Sequence, residues 1–230
     1  MKKIVVLTGA GISAESGIET FRDADGLWEG HDVMEVATPE GFKKNPELVL
    51  DFYNQRRKQL LSTKPNKAHY NLAALETYFD VEIITQNVDN LHEKSGSTKV
   101  THLHGELLKV RSTKDETYVL DWDKDLLLGD LCKYKSQLRP HIVWFGEMVP
   151  MLDYAITITQ KADILIIIGT SMQVYPAASL INYIQQDTPI YFIDPKPSVS
   201  ENDFNNLKII KDVASCGTDS LVKILKQNAI

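Results

Sequence analysis

A short apolar run, Ile4 to Leu7, ends in Thr8-Gly9-Ala10-Gly11 and opens into what reads as a helix. A strand that feeds a helix through a glycine-punctuated turn is the unit from which parallel sheets are built, and its turn is where such units hold a dinucleotide diphosphate. In that reading Gly9 allows the tight turn, Gly11 lets the backbone approach the phosphates, and Ala14 keeps the helix close to the strand. Three letters of a Gly-x-Gly-x-x-Ala pattern also occur in glycine-rich turns that bind nothing. The continuation is more telling. Phe21, Arg22 and Asp23, then Gly26, Leu27 and Trp28, are unlike a hydride-transfer domain, whose phosphate turn leads straight into a plain helix and the next strand.

Further short apolar runs rich in β-branched residues recur at 81–85, 100–103, 142–145, 164–168 and 190–193, with helical patterns between or beside most of them. The expected fold is therefore α/β: a Rossmann-type parallel sheet with helices on both faces, plus a small, mainly helical inserted domain. The unbroken Ile-Leu-Ile-Ile-Ile of 164–168 predicts a strand buried on both faces, which places Gly169-Thr170-Ser171 at a carboxyl edge. Two segments interrupt the alternation. In 29–79, Asn45 can cap a helix, Pro46 suits its first turn, and Glu47 to Leu61 carries apolar residues at helical spacing. The second, 106–140, is charged and weakly periodic. The expected division is a sheet domain of 1–28, 80–105 and 141–230, and a small domain of 29–79 and 106–140.

A chain of 230 residues is long enough for such a core, and its net charge of -6 without a long basic run argues against a dedicated nucleic-acid surface. No apolar stretch approaches the length of a membrane span and no secretory leader is visible, so a soluble, cytoplasmic protein with reduced thiols is expected, and a monomer. Its two cysteines, Cys132 and Cys216, are far apart in sequence and need not meet.

His104 ends a short run and precedes Gly105, so its ring can project over the sheet edge; a lone histidine there is often structural. His102 would share a strand face with it, which raises a metal pair, but no further ligand stands at suitable spacing. Gln86, Asn87 and Asp89 follow the run ending at Thr85, where amide and carboxylate groups could meet a carboxamide and a ribose, or could simply cap a helix. Asp194 ends the 190–193 run, where a carboxylate can accept from ribose hydroxyls. Tyr53 and Arg56, at i and i+3, share a helix face. Arg56 and Arg57 by default form a solvated basic patch.

Taken in order, the segment from Thr8 to Trp28, Gln86-Asn87-Val88-Asp89-Asn90-Leu91-His92, His104-Gly105, Val143-Trp144-Phe145-Gly146-Glu147, and Gly169-Thr170-Ser171 through Tyr175-Pro176-Ala177 resemble the five motif blocks of the sirtuins, the NAD-dependent protein lysine deacylases. The resemblance spans nearly the whole chain. It implies NAD held by Gly9, Ala10, Gly11, Ile12, Glu15, Ser16, Phe21, Arg22, Trp28, Gln86, Asn87, Val88, Asp89, Gly169, Thr170, Ser171, Asp194 and Ala214. Asn87 and Asp89 would line the nicotinamide pocket, and Phe21 would shield the reactive sugar from water. His104 would be the general base, deprotonating a ribose hydroxyl so that the sugar captures the acyl group. Acyl-lysine proteins would be the substrates, bound along Val143, Trp144, Phe145, Gly146 and Glu147.

Two departures stand out. Many sirtuins carry asparagine where Asp194 stands here, and most carry four cysteines in two CxxC pairs between the histidine block and the peptide-binding strand. That segment has only Cys132, so no zinc is expected, and packing alone should hold 106–140. Ala37 to Phe42 followed by Tyr53 and Arg56 is similar to sirtuins that remove succinyl and malonyl groups, in which a small residue such as Ala37 opens the acyl pocket and tyrosine and arginine grip the distal carboxylate. Mono-ADP-ribosyl transfer and a non-catalytic NAD-sensing module remain the alternatives.

Overall fold

Every residue of the central strand β1 (Lys3–Thr8) beyond its first is buried, since strands flank both its edges and helices cover both its faces. The computed structural model describes residues 1–19, 27–28 and 30–227. After β1 come β2 (Leu27–Trp28), β3 (His31–Asp32), α1 (Val33–Val36), α2 (Pro39–Lys44), α3 (Pro46–Ser62) and α4 (Lys67–Leu75). Next are β4 (Asp80–Thr85), α5 (Leu91–Lys94), β5 (Val100–His102), β6 (Gly105–Ser112), β7 (Val119–Asp121) and β8 (Leu138–Ile142). The chain closes with α6 (Leu152–Thr159), β9 (Ile164–Ile168), β10 (Ile190–Ile193), β11 (Leu207–Ile210) and α7 (Ala214–Gln227).

Six strands form one parallel sheet in the order β11-β10-β9-β1-β4-β5. The expected Rossmann-type fold is what the chain adopts: the order runs outward in both directions from β1, and the connection reverses between β1 and β9. Strand alternation sorts the core into two layers. Ile4, Val6, Ile83 and Ile166 point to the face covered by α4 and α7, while Val5, Leu7, Ile84, Leu165 and Ile167 point to the face covered by α6 and the 3-10 turn Ala177–Tyr183.

Local chemistry sets several boundaries as expected. The Asn45 side chain accepts from the Leu48 amide at 3.2 Å with Pro46 in the first turn, so α3 starts where the sequence placed it. The residues after the first glycine turn do not form the α-helix expected there. They make two short 3-10 turns, Ala10–Ile12 and Ala14–Ser16, and Ala14 is exposed, so it holds no helix against β1.

The small-domain segments also differ from expectation in detail. Helix α4 packs through Ala68, Leu72 and Leu75 on the main sheet and against α7, so part of the segment expected in the small domain packs on the parallel sheet. Segment 106–140, read as a weakly periodic excursion, carries most of a three-stranded antiparallel sheet ordered β7-β6-β8. The strand expected at 142–145 is displaced: β8 ends at Ile142 and belongs to this small sheet. Helices α1 and α3, with α2 at their edge, pack on it through Val36, Val49, Phe52, Tyr53, Leu107, Ile142 and Trp144.

Candidate active site

The turns after β1 and β9, the two strands between which the topology reverses, lie one upon the other. Gly11 N–H donates to the Gly169 carbonyl at 2.8 Å, and Gly9 N–H to that of Ile168 at 3.0 Å. A Cβ on Gly11 would sit 2.6 Å from Gly169 Cα, and Gly169 itself has φ +62°. Glycine is therefore required here by the contact of two turns, before any ligand is considered.

Polar side chains knit the neighbouring strand ends together. Thr8 donates through its hydroxyl to Thr85 Oγ1 at 2.8 Å, and Thr85 Oγ1 also accepts from Asn87 N–H at 3.0 Å. With that proton committed, Thr8 Oγ1 accepts from His92 Nε2, 3.1 Å away, which leaves His92 Nδ1 unprotonated and fully buried. Burial, reinforced by His69 and His102, holds the His92 pKa well below that of a free histidine. Asn87 Nδ2 donates to Ser13 Oγ at 3.2 Å, and Ser13 donates to Asp89 Oδ2 at 2.9 Å. Asp89 Oδ1 accepts from Leu91 N–H, so this carboxylate ties the glycine turn to the start of α5. Its pKa is raised because burial outweighs those two bonds. Ser13 was missed by sequence reasoning; it sits within the glycine turn but has no distinguishing neighbour. Ile12 is buried in the large core, and Val88 accepts from Leu107 N–H.

His104 donates from Nδ1 to the Gln86 carbonyl at 3.0 Å, which fixes the tautomer and leaves Nε2 with its lone pair. Burial lowers its pKa, only partly offset by that bond, so the neutral form dominates near neutral pH. Gln86 also reaches across the edge, donating from Nε2 to Thr170 Oγ1 at 3.0 Å. His102 faces a different environment. Nδ1 meets the Asn87 carbonyl and Nε2 meets Glu93 Oε1 at 2.8 Å, two acceptors that suit an imidazolium. Burial works against that charge, yet the Glu93 bond prevails and the pKa is raised. Both His102 ring nitrogens are thus taken up by protein acceptors, and among the described residues no group of three His, Cys, Asp or Glu could hold a metal ion.

On the far side of the edge, Asp194 is 2% exposed and accepts from Lys196 N–H at 2.8 Å, and Ala214 opens α7. The Glu15 carboxylate accepts from Ser215 N–H at 2.9 Å and from its hydroxyl at 2.6 Å, so it caps α7 from across the crevice. Ser16 Oγ accepts from Asn66 Nδ2 at 3.0 Å. Ser171 follows Thr170 and accepts through its carbonyl from the Ser198 hydroxyl. Phe21 and Arg22 lie outside the described residues.

The residues expected on the substrate side gather around α3 and the turn after β8. Val143 N–H donates to the His104 carbonyl and Phe145 N–H to that of Ala37, both at 2.9 Å, so this segment lies between histidine and helices as an extended turn with Gly146 at φ +88°. Trp28 and Phe52 both pack edge-on against Tyr53, which is fully buried. Trp144 Nε1 donates to the Tyr53 hydroxyl at 2.9 Å. Arg56 is half-buried, its guanidinium 4.7 Å from the centre of the Phe52 ring. Arg57 is not the solvated residue expected. It is 1% exposed, donating from Nη1 to Asn54 Oδ1 at 2.7 Å and from Nε to the Leu107 carbonyl at 3.2 Å. At i+4 from Tyr53 it lies on the buried face of α3. Burial lowers its pKa to about 10.

Glu147 is held by two arginines that sequence reasoning did not single out. Arg139 grips both its oxygens, at 2.6 and 3.0 Å, and Arg111 donates to Oε2 at 2.9 Å. Burial opposes the Glu147 charge, but Arg139 keeps its pKa below the usual carboxylate range. Its side chain is thus committed to the scaffold. Cys132 points its thiol at Ser112 Oγ, 3.2 Å away, and Ser112 also accepts from the Lys114 and Asp115 amides.

Comparison with known proteins gives concordant matches. Residues 9–176 match the family model described as Sir2 family. An NAD-dependent protein deacylase of Helicobacter pylori (strain ATCC 700392 / 26695) is 67% identical over 196 residues, covering 85% of this chain and 86% of that protein. One from Bacteroides thetaiotaomicron is 51% identical over 231 residues, covering 98% of each. A solved Sir2 homologue in complex with NAD superposes with a TM-score of 0.88 at 40% identity, over all of this chain and 91% of its own.

Proposed function

The chain belongs to the Sir2 family and is an NAD-dependent protein deacylase, and within that activity we propose that it removes succinyl and malonyl as well as acetyl groups from lysine, with His104 as the base. The observation that carries the mechanism is the His104 ring, anchored at Nδ1 by the Gln86 carbonyl with Nε2 left to accept a proton. A neutral imidazole of lowered pKa suits that task.

The donor set at the sheet edge fits NAD. The Gly9 to Ser16 turn would take the diphosphate, Gln86 and Thr170 a ribose, Asn87 and Asp89 the carboxamide side, and Ser171, Asp194 and Ala214 the adenosine end. When bound, NAD supplies an activated ribose that captures the acyl group, with release of nicotinamide. Residues 143–147 would hold the substrate peptide through their backbone, since the Glu147 side chain is already taken up by Arg139 and Arg111. A structural zinc does not fit the residues present. Cys132 is the one thiol in its module and its near partner is a hydroxyl, whereas such a site takes four thiolate or imidazole ligands. A cytoplasmic monomer completes the reading; among the described residues no helix is long and apolar enough to cross a membrane.

The acidic-acyl preference is supported by Ala37 and Tyr53 in one buried cluster with Arg56 one turn further along α3. It is tested with purified protein, NAD and peptides that differ only in the acyl group. Arg56→Met should lower the ratio of kcat/KM on succinyl-lysine to that on acetyl-lysine by roughly 30- to 1,000-fold, the loss of a desolvated charge-assisted contact. Equal losses on both peptides would withdraw the preference.

A further inference from the structure

Resting on that reading of the acyl site, we propose that Trp144 is a positioning residue for acyl selectivity: its indole N–H fixes the Tyr53 hydroxyl as a donor, and so favours acyl groups that end in a carboxylate.

Proton direction decides what the Tyr53 hydroxyl can meet. An indole nitrogen can only donate, so at 2.9 Å from Trp144 Nε1 the Tyr53 oxygen is the acceptor, and its own proton must point elsewhere. Among the described residues no acceptor faces that proton, although Tyr53 is fully buried and Trp144 is 2% exposed. A buried phenol with a committed lone pair and an uncommitted O–H is built to meet an acceptor. A succinyl or malonyl carboxylate brings one; the methyl of an acetyl group does not. Burial raises the phenol pKa well above its ordinary value, so Tyr53 keeps the proton it would donate.

The indole is held in place to do this. The Arg139 guanidinium lies 3.4 Å from the Trp144 ring centre, and Glu147 accepts from Arg139 and, at 2.8 Å, from the Trp144 backbone N–H. Two guanidinium groups, Arg111 and Arg139, meet the single Glu147 carboxylate, so charge-assisted bonds hold the network behind the indole. On its other side Tyr53 is wedged by Trp28, ring centroids 5.9 Å apart at 82°. Neither ring can turn without breaking several of these contacts.

The test uses the full chain and one peptide sequence carrying either succinyl- or acetyl-lysine, and reads the ratio of the two kcat/KM values. General damage lowers both rates and leaves the ratio alone. Tyr53→Phe should lower the ratio roughly 10-fold, and Trp144→Phe about 3- to 10-fold, as expected for loss of one buried hydrogen bond. In the double variant the ratio should fall no further than in Tyr53→Phe alone, because Trp144 acts through the hydroxyl that variant lacks. Benzothienylalanine at 144, which replaces the indole N–H by sulfur with the shape kept, should reproduce the fall even if Trp144→Phe folds poorly. A wild-type ratio with benzothienylalanine, or losses that multiply in the double variant, would overturn the proposal while leaving the acyl-site reading intact. If Tyr53→Phe and Arg56→Met both leave the ratio unchanged, the reading itself fails, and the proposal with it.

Discussion

His104 gives one ring nitrogen to its own scaffold, as the proposed base it would use the other, and burial sets the sign of its pH dependence. Because its pKa is lowered from 6.5, the neutral form persists below that value. Deacylation, followed as kcat/KM against pH, should therefore rise through a midpoint below 6.5 and be flat at neutral pH; an acid limb centred above 7 would assign the base elsewhere. Arg57 leads to the opposite kind of test. Its guanidinium ties α3 to the Leu107 carbonyl on β6, so Arg57→Ala should cost on the order of 2 to 4 kcal/mol in urea unfolding, through lost packing and the unpaired groups left behind. A change within 0.5 kcal/mol would return it to the surface. Its burial is written in the spacing Val49-Tyr53-Arg57-Leu60, although its charge alone predicts a solvated side chain. Arg111 and Arg139 are hidden for another reason: both are buried because they pair with the half-buried Glu147, and such pairing leaves no local signal.

Elements announced themselves to the extent that their determinants were local. The cap of α3 lies in two adjacent letters, Asn45-Pro46, and β9 in five apolar ones, whereas β8 reads Leu-Arg-Pro-His-Ile and becomes a strand only because β6 pairs with it. Helix α4 packs on the parallel sheet although its sequence neighbours are the helices of the insertion, because an amphipathic face does not say which sheet it will cover. Its first turn carries a further consequence. His69 closes the capping box by accepting from Asn66 N–H at Nδ1, while Nε2 is buried 5.0 Å, centroid to centroid, from His92. Burial lowers the His69 pKa to about 4 and that of His92 in the same direction. In acid the unfolded chain takes up these protons at pH 6.5 and the folded chain resists, so stability is full above 6.5 and is lost as pH falls towards 4. His69 alone contributes about 3 kcal/mol to that loss. Urea unfolding across this window should show it, and His69→Gln, which keeps an acceptor for the cap, should flatten the slope. An unchanged slope in that variant would contradict the assignment.

At the scale of the molecule, a Rossmann-type sheet supplies the edge, and a helical module with a small antiparallel sheet closes the other side. The parallel sheet was legible because buried β-branched runs recur; the small sheet was not, since charged strands with one solvated face resemble loops. In the absence of a thiolate cluster, that sheet relies on the core of Leu50, Val110, Leu126 and Leu138 and on the Ser112–Cys132 contact. Elemental analysis of the purified chain should find no stoichiometric zinc, and a chelator should leave Tm and activity as they were; about one zinc per chain would refute this. Deacylation of lysine with His104 as the base is checked by incubating wild type and His104→Ala with NAD and acyl-lysine peptides, following nicotinamide release and peptide mass together. Wild type is expected to lose the acyl group in step with nicotinamide release, and the variant to fall roughly 10²- to 10⁴-fold with Tm preserved. Gain of ADP-ribose on the peptide, or turnover near wild type without His104, would contradict it.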